Sequence, residues 1–194
     1  MMLPTLVKNF RVALLVQTLV FCLSSYTYAE PATYKRTLEK YTLPDVTLIN
    51  QDGKRVPFKS IMDSNKPVIL DFIFGTCTTI CPVLSAGYVG LQQKMGENST
   101  GVHLISISID PENDSPKVMK EYLKRYRAKP GWDFLTGSRK DIDTVMRAFN
   151  AYIPNKMSHY ALTLIHPPKA DKWIRIYGIM SSSEFFSETK KAGL

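Results

Sequence analysis

The chain has 194 residues, 44% apolar and 22% charged, and its 25 Lys and Arg against 17 Asp and Glu give a formal charge of +8. That length and balance exclude a disordered polyelectrolyte and allow one domain with a real core. Without a dense Lys/Arg block the basic charge argues against nucleic-acid binding, and it fits attraction to anionic lipid headgroups or an acidic partner, or simply a solvated surface.

The N-terminus has the pattern of an export signal. Lys8 and Arg11 form a short positive region, residues 12–23 an apolar core, and Thr27-Tyr28-Ala29 places small residues at the −3 and −1 positions. Cleavage is expected after Ala29, giving a signal at 1–29 and one domain at 30–194, exported to the periplasm or the outer face of the inner membrane. An uncleaved anchor, helped by Leu3, Leu6 and Val7, is the competing reading and would tie the domain to the membrane. Cys22 follows bulky Phe21, which does not suit a lipoprotein cysteine, so it leaves with the signal and takes no part in the domain. Loss of Lys8 and Arg11 lowers the formal charge to +6.

The domain opens on a strand-rich segment over 34–65, with a short strand at 46–49 and a hairpin turn at Gln51-Asp52-Gly53-Lys54. Residues 67–74 are almost continuously apolar, as in a strand buried on both faces. After Gly75-Thr76 come Cys77 and Cys81, and then Leu84, Tyr88, Leu91 and Met95 at helical spacing. Residues 102–109 make a further strand, Asp114-Ser115-Pro116 a helix start, and Val118, Met119, Tyr122, Leu123 and Tyr126 its apolar stripe. A brief strand at 132–135 and a third helix marked by Ile142, Val145, Met146 and Phe149 follow. Strands at 160–165 and 173–177 then close the chain as a hairpin. This alternation predicts an α/β fold, a central mixed sheet flanked by helices. Reactive groups in such sheets lie beyond the C-terminal ends of parallel strands, which is where Cys77 falls.

Cys77 and Cys81 stand at i and i+4, so a helical segment would turn both sulfurs the same way. At a helix start the free N–H groups favour thiolate, and two thiolates suit a soft cation such as Cu(I), with an imidazole broadening the site toward Cu(II). The spacing alone leaves a plain disulfide open. Of three histidines, His103 reads as an edge-strand residue and His166 as a solvated turn residue. His159 lies in the loop after the third helix and is the candidate third ligand. Asp71 is expected to face an edge or to be hydrogen-bonded, against the alternative of a buried acid that tunes the thiols.

Four ordered stretches then carry a resemblance. Phe72-Ile73-Phe74-Gly75-Thr76-Cys77-Thr78-Thr79-Ile80-Cys81-Pro82 is followed by Ser106-Ile107-Ser108-Ile109-Asp110-Pro111-Glu112-Asn113-Asp114-Ser115-Pro116. After these come Trp132 with Leu135-Thr136-Gly137, and Ser158-His159-Tyr160 before Tyr177-Gly178. In these the chain resembles the SCO/SenC family of copper-binding accessory proteins of cytochrome c oxidase assembly. The resemblance implies a thioredoxin-like fold, copper bound by Cys77, Cys81 and His159, and a copper-accepting oxidase subunit or another copper chaperone as partner. The family often carries Asp directly before that histidine, where this chain has Ser158. Met157 reads as a loop hydrophobe, with a soft donor as its alternative.

The leading expectation is a metallochaperone rather than an enzyme, delivering copper to the dinuclear copper site of a terminal oxidase. The alternative is a thiol–disulfide oxidoreductase in which Cys77 attacks and Cys81 resolves. A peroxidase would use Thr76 beside an activated cysteine, but no arginine adjoins the cysteine segment.

Overall fold

In the computed structural model, residues 34–63 and 65–194 are described; the expected signal at 1–29 and Cys22 lie outside them. Eight strands make one mixed sheet: β1 (Tyr34–Glu39), β2 (Thr47–Asn50), β3 (Arg55–Pro57), β4 (Val68–Ile73), β5 (His103–Ser108), β6 (Trp132–Thr136), β7 (Leu162–His166) and β8 (Trp173–Gly178). Their spatial order is β1-β8-β7-β4-β5-β6-β2-β3. Only β4, β5 and β6 run parallel, and every other pairing is antiparallel. Among the described residues five α-helices accompany the sheet: α1 (Phe58–Met62), α2 (Ile80–Met95), α3 (Pro116–Arg125), α4 (Arg139–Ala148) and α5 (Ser182–Lys191). This is the expected α/β architecture, a mixed sheet flanked by helices in the thioredoxin-like manner.

The register explains why β4 and β5 read as nearly unbroken apolar runs. Ile69 lies beside Leu104, Asp71 beside Ser106 and Ile73 beside Ser108, while Leu70 and Phe72 lie beside Ile105 and Ile107. All six β4 residues are buried. On the Asp71 face α2 and α3 pack together: Ser85 and Tyr122 share a hydrogen bond of 2.7 Å, and Tyr88 stacks edge-on to Trp132. On the other face Phe72 meets Phe149, which follows α4, and Phe149 also meets Phe58 of α1. A sheet buried on both sides has no solvated face to demand polar alternation.

The turn at residues 51–54 closes the β2–β3 hairpin as expected, with Gly53 at a φ of 75° that suits glycine. Ser115 caps α3 by accepting from the Val118 N–H, with Pro116 directly after it. Two expectations fail. The chain does not finish on the β7–β8 hairpin, because α5 follows with a full capping box at Ser181 and Glu184. Its apolar residues are few, and Phe185, its main anchor, stacks on Tyr88, a partner nearly a hundred positions away. His103 is not on an edge strand either, since β5 lies between β4 and β6.

Candidate metal centre

β4 ends at Ile73, and the chain turns through Gly75 to bring the cysteines over the end of the sheet. Cys77 is not helical. It lies before α2, and its sulfur accepts from the Cys81 backbone N–H at 3.4 Å, satisfying one of the free donors of the helix start. The two sulfurs therefore converge because Cys77 folds back over the N-terminus of α2, and not because both residues ride one helical turn. Pro82 sits in the first turn, where its missing N–H costs nothing.

Gly75 is held from the β5–α3 loop. Its N–H donates to both carboxylate oxygens of Asp114 at 3.1 Å, and Ser108 Oγ donates to the same carboxylate at 2.5 Å. A β-carbon at Gly75 would lie 2.7 Å from Asp114 Oδ1, so only glycine fits there without a shift.

His159 reaches the sulfurs from the opposite side. It follows α4 and a single 3-10 turn at Lys156–Ser158, just ahead of β7. Its Nε2 lies 3.1 Å from Cys81 Sγ and 4.0 Å from Cys77 Sγ. The Lys156 carbonyl faces Nδ1 at 3.0 Å, and because a carbonyl only accepts, Nδ1 carries the proton and Nε2 presents its lone pair to the sulfurs. The ring also stands edge-on to Phe74, with centroids 5.2 Å apart.

Electrostatics separate the thiols. Burial opposes ionisation of Cys77, but the hydrogen bonds from Cys81 and Thr79 outweigh it and hold this thiol below its ordinary value. Burial, with Cys77 beside it, pushes Cys81 well above the ordinary value. Half-buried His159 is lowered by desolvation, with its bond to Lys156 working the other way, so its imidazole stays neutral at neutral pH. The three donor atoms lie within 4.8 Å of one another, and two sulfurs with one neutral imidazole nitrogen form a set that suits copper.

The other two histidines are at the far end of the sheet, where His103 and His166 flank Val68, the first residue of β4. His103 pairs with Asp133 at 2.8 Å. His166 is not a solvated turn residue: it stacks on Trp173 and reaches the Ala170 carbonyl at 2.8 Å. Met157 lies in the same loop turn as His159 and is 68% exposed. Thr76 is exposed as well. Asp71 contradicts its expectation: it faces no edge, it is wholly buried, and neither carboxylate oxygen has a hydrogen-bond partner. Desolvation raises it to about 7, against a smaller opposing influence of nearby Ser106, whose hydroxyl accepts from Trp132 Nε1.

Sequence reasoning missed four residues that build the centre. Asp110 and Asp114 read from the sequence as helix-start chemistry or as part of a docking surface, and neither reading places them in the centre, although three acids in five residues exceed what one cap needs. Lys156 has no sequence signal. Buried Arg175 donates to the Phe149 and Asn150 carbonyls at 2.5 and 3.1 Å, fixing the start of the loop that carries His159.

Comparisons with known proteins converge on one family. A family model described as SCO1/SenC matches residues 35–171. The SCO1 protein homolog of Bacillus subtilis is 39% identical over 116 residues, which are 58% of this chain and 59% of that protein. The mitochondrial SCO1 homolog 1 of Arabidopsis thaliana is 39% identical over 108 residues, 55% of this chain and 31% of its own length. This chain thus spans less than two thirds of the length of these relatives. Among solved structures, BsSco, described as a Sco-family cytochrome c oxidase assembly protein with a disulfide switch, has 31% identity and a TM-score of 0.66, covering 80% of this chain and 95% of its own. Copper-bound ScoI of Arabidopsis thaliana has 30% identity and a TM-score of 0.64, covering 75% and 94%. With its thioredoxin-like sheet, its cysteine loop and a family match over most of its length, this chain belongs to the SCO1/SenC family.

Proposed function

We propose that this protein binds one copper ion through Cys77 Sγ, Cys81 Sγ and His159 Nε2, and delivers it to the dinuclear copper site of a terminal oxidase, directly or through another copper chaperone. Residues 1–29 serve in this reading as its export signal. The observation that carries it is the convergence of three donor atoms from two distant stretches of chain within 4.8 Å, with the imidazole tautomer already suited to ligation. Relatives described as copper-bound or copper-binding support the choice of metal.

Delivery by ligand exchange also needs an accessible rim. Among the exposed large hydrophobic residues, Val83, Met157 and Tyr160 stand within two positions of Cys81 or His159 along the chain. Val83 follows Cys81 by two positions and shares a cleft with Ile179, Met157 and Tyr160 flank His159, and Val118 packs near Gly75. Exposed apolar side chains on these segments suit a docking partner better than a sealed catalytic pocket.

A second reading, reduction of the acceptor's disulfide before metal arrives, draws on the opposite shifts of the two thiols. Cys77, held toward thiolate, would attack, and Cys81 would resolve the mixed disulfide. His159 has no necessary part in it.

Copper stoichiometry with Cu(II) absorption and EPR spectra of the purified, reduced protein tests the proposal. We expect one copper per chain with a thiolate charge-transfer band. Binding should be abolished in Cys77→Ala and Cys81→Ala, and weakened far more for Cu(II) than for Cu(I) in His159→Ala. Retention of Cu(II) by His159→Ala would remove that residue from the site. No stable copper, with a readily cycled Cys77–Cys81 disulfide, would transfer the case to the reductase.

A further inference from the structure

His159 stands on a loop between α4 and β7 whose only regular piece is the short turn Lys156–Ser158. Within that turn, Asn155 accepts from the Met157 N–H through its side chain and from the Ser158 N–H through its carbonyl. These bonds shape the turn but do not attach it to the rest of the molecule.

Attachment comes from Lys156. Its ammonium reaches Asp110 Oδ2 at 2.5 Å, across 46 positions of sequence. Asp110 is a firm anchor: its side chain is only 6% exposed, both its carboxylate oxygens accept from Asn113 Nδ2 at 3.0 Å, and its N–H donates to Ser108 Oγ at 3.0 Å. The ammonium also stands 5.2 Å from the centroid of Phe74, the ring against which His159 packs edge-on. The carbonyl of the same Lys156 accepts from His159 Nδ1. One residue thus grips His159 through its main chain while its side chain is fastened to the loop that also holds the cysteine turn through Asp114 and Gly75. Ser158, directly before the histidine, is exposed and makes no comparable link.

We infer that the Lys156–Asp110 ion pair is the positioning device of this centre, fixing the tautomer and direction of His159 so that Nε2 faces both sulfurs. The inference rests on the copper reading above for its consequence, though not for its geometry. Groups that orient a ligating histidine commonly change metal affinity by about 10- to 100-fold. The pair is partly buried, and loss of its cation leaves a nearly buried carboxylate with Asn113 as its remaining side-chain donor.

Lys156→Met keeps an unbranched side chain of similar reach and removes the charge. We expect its Cu(II) affinity to fall about tenfold or more, with Cu(I) affinity within about twofold of the parent and an EPR spectrum displaced toward that of His159→Ala. Lys156→Arg should restore both. In a His159→Ala background, Lys156→Met should change Cu(II) affinity no further. In the metal-free protein, nitrogen NMR should show a single Nδ1–H tautomer for His159 and a mixture in Lys156→Met. Parent-like Cu(II) affinity in Lys156→Met, beside a loss in His159→Ala, overturns the inference and leaves the copper reading standing. An equal loss in the His159→Ala background overturns it in favour of a general structural role. If the parent binds no copper, the copper reading fails, and the tautomer decides: an unchanged ring in Lys156→Met sinks the positioning role too.

Discussion

Asp71 and Asp114 are both wholly buried carboxyls near the proposed copper site, yet only Asp114 has partners. Gly75 and Ser108 donate to Asp114; burial still raises it, while these bonds pull the other way. Asp71 has no donor in hydrogen-bonding position and rises to about 7. A raised carboxyl holds its proton in the folded state through a range where the unfolded chain has already lost it. Stability is therefore full below about pH 4 and declines as the pH rises toward 7. Asp71→Asn should match the parent in urea denaturation at pH 4 and exceed it at pH 8. The gain should be on the order of a few kcal/mol, since each tenfold change in proton affinity is worth about 1.4 kcal/mol. Equal denaturation midpoints at pH 8 would mean that the carboxylate finds solvation inside the sheet. The ionised form also bears on the thiols, since a charge on Asp71 adds to the forces that raise Cys81.

At the scale of elements, the centre is a meeting of helix N-terminus, turn and loop. α2 begins at Ile80 without a side-chain cap of the usual kind at Thr79, and the Cys77 sulfur occupies that role by accepting from Cys81. The i, i+4 spacing was therefore the right observation with the wrong cause. The turn before it depends on Gly75. Gly75→Ala would press a methyl group against Asp114 Oδ1 and against Val118, and should cost about 1–3 kcal/mol of stability, as overpacking does. It should also loosen the cysteine turn, seen as faster alkylation of Cys77. A chemical denaturation midpoint and alkylation rate equal to the parent's would show that Asp114 yields without cost. The helix start at Ser115 was local enough to read directly, since this serine accepts from an N–H three residues on; Ser138 caps α4 in the same way, a start that the apolar stripe alone did not mark.

Across the whole molecule, the first strand and the last helix close the fold together. Glu188 of α5 is almost wholly buried and accepts from Arg36 at 2.8 Å, Lys191 at 2.7 Å and Tyr34 at 3.2 Å, joining β1 to the C-terminal helix across about 150 positions. Glu188→Ala should lower stability by about 1–3 kcal/mol through the loss of charge-assisted bonds. Hydrogen exchange should quicken in β1 and α5, with copper affinity unchanged because none of these residues touches Cys77, Cys81 or His159. A fall in copper affinity of the same size as the loss of stability would instead show that closure of the sheet edge is felt at the centre. No helix among the described residues is long and apolar enough to cross a membrane.

Properties that act over a few neighbouring residues were legible in the amino-acid order: the apolar run of β4, the helical stripes, the Ser115 cap, the β2–β3 turn and the placement of the cysteines beyond a parallel strand. Each follows from periodicity or from a donor and acceptor three or four positions apart. The tertiary structure alone decided the rest. His159 meets Cys77 and Cys81 across 82 and 78 positions, Lys156 finds Asp110 across 46, and the Asp71 oxygens are buried with no well-formed hydrogen bond. His159 was already the candidate among three histidines from its place in the chain, but the environments of His103 and His166 at the other end of the sheet depend on strand order and direction. A buried polar group has its energy set by whatever the rest of the chain brings against it, and local spacing carries no record of that partner.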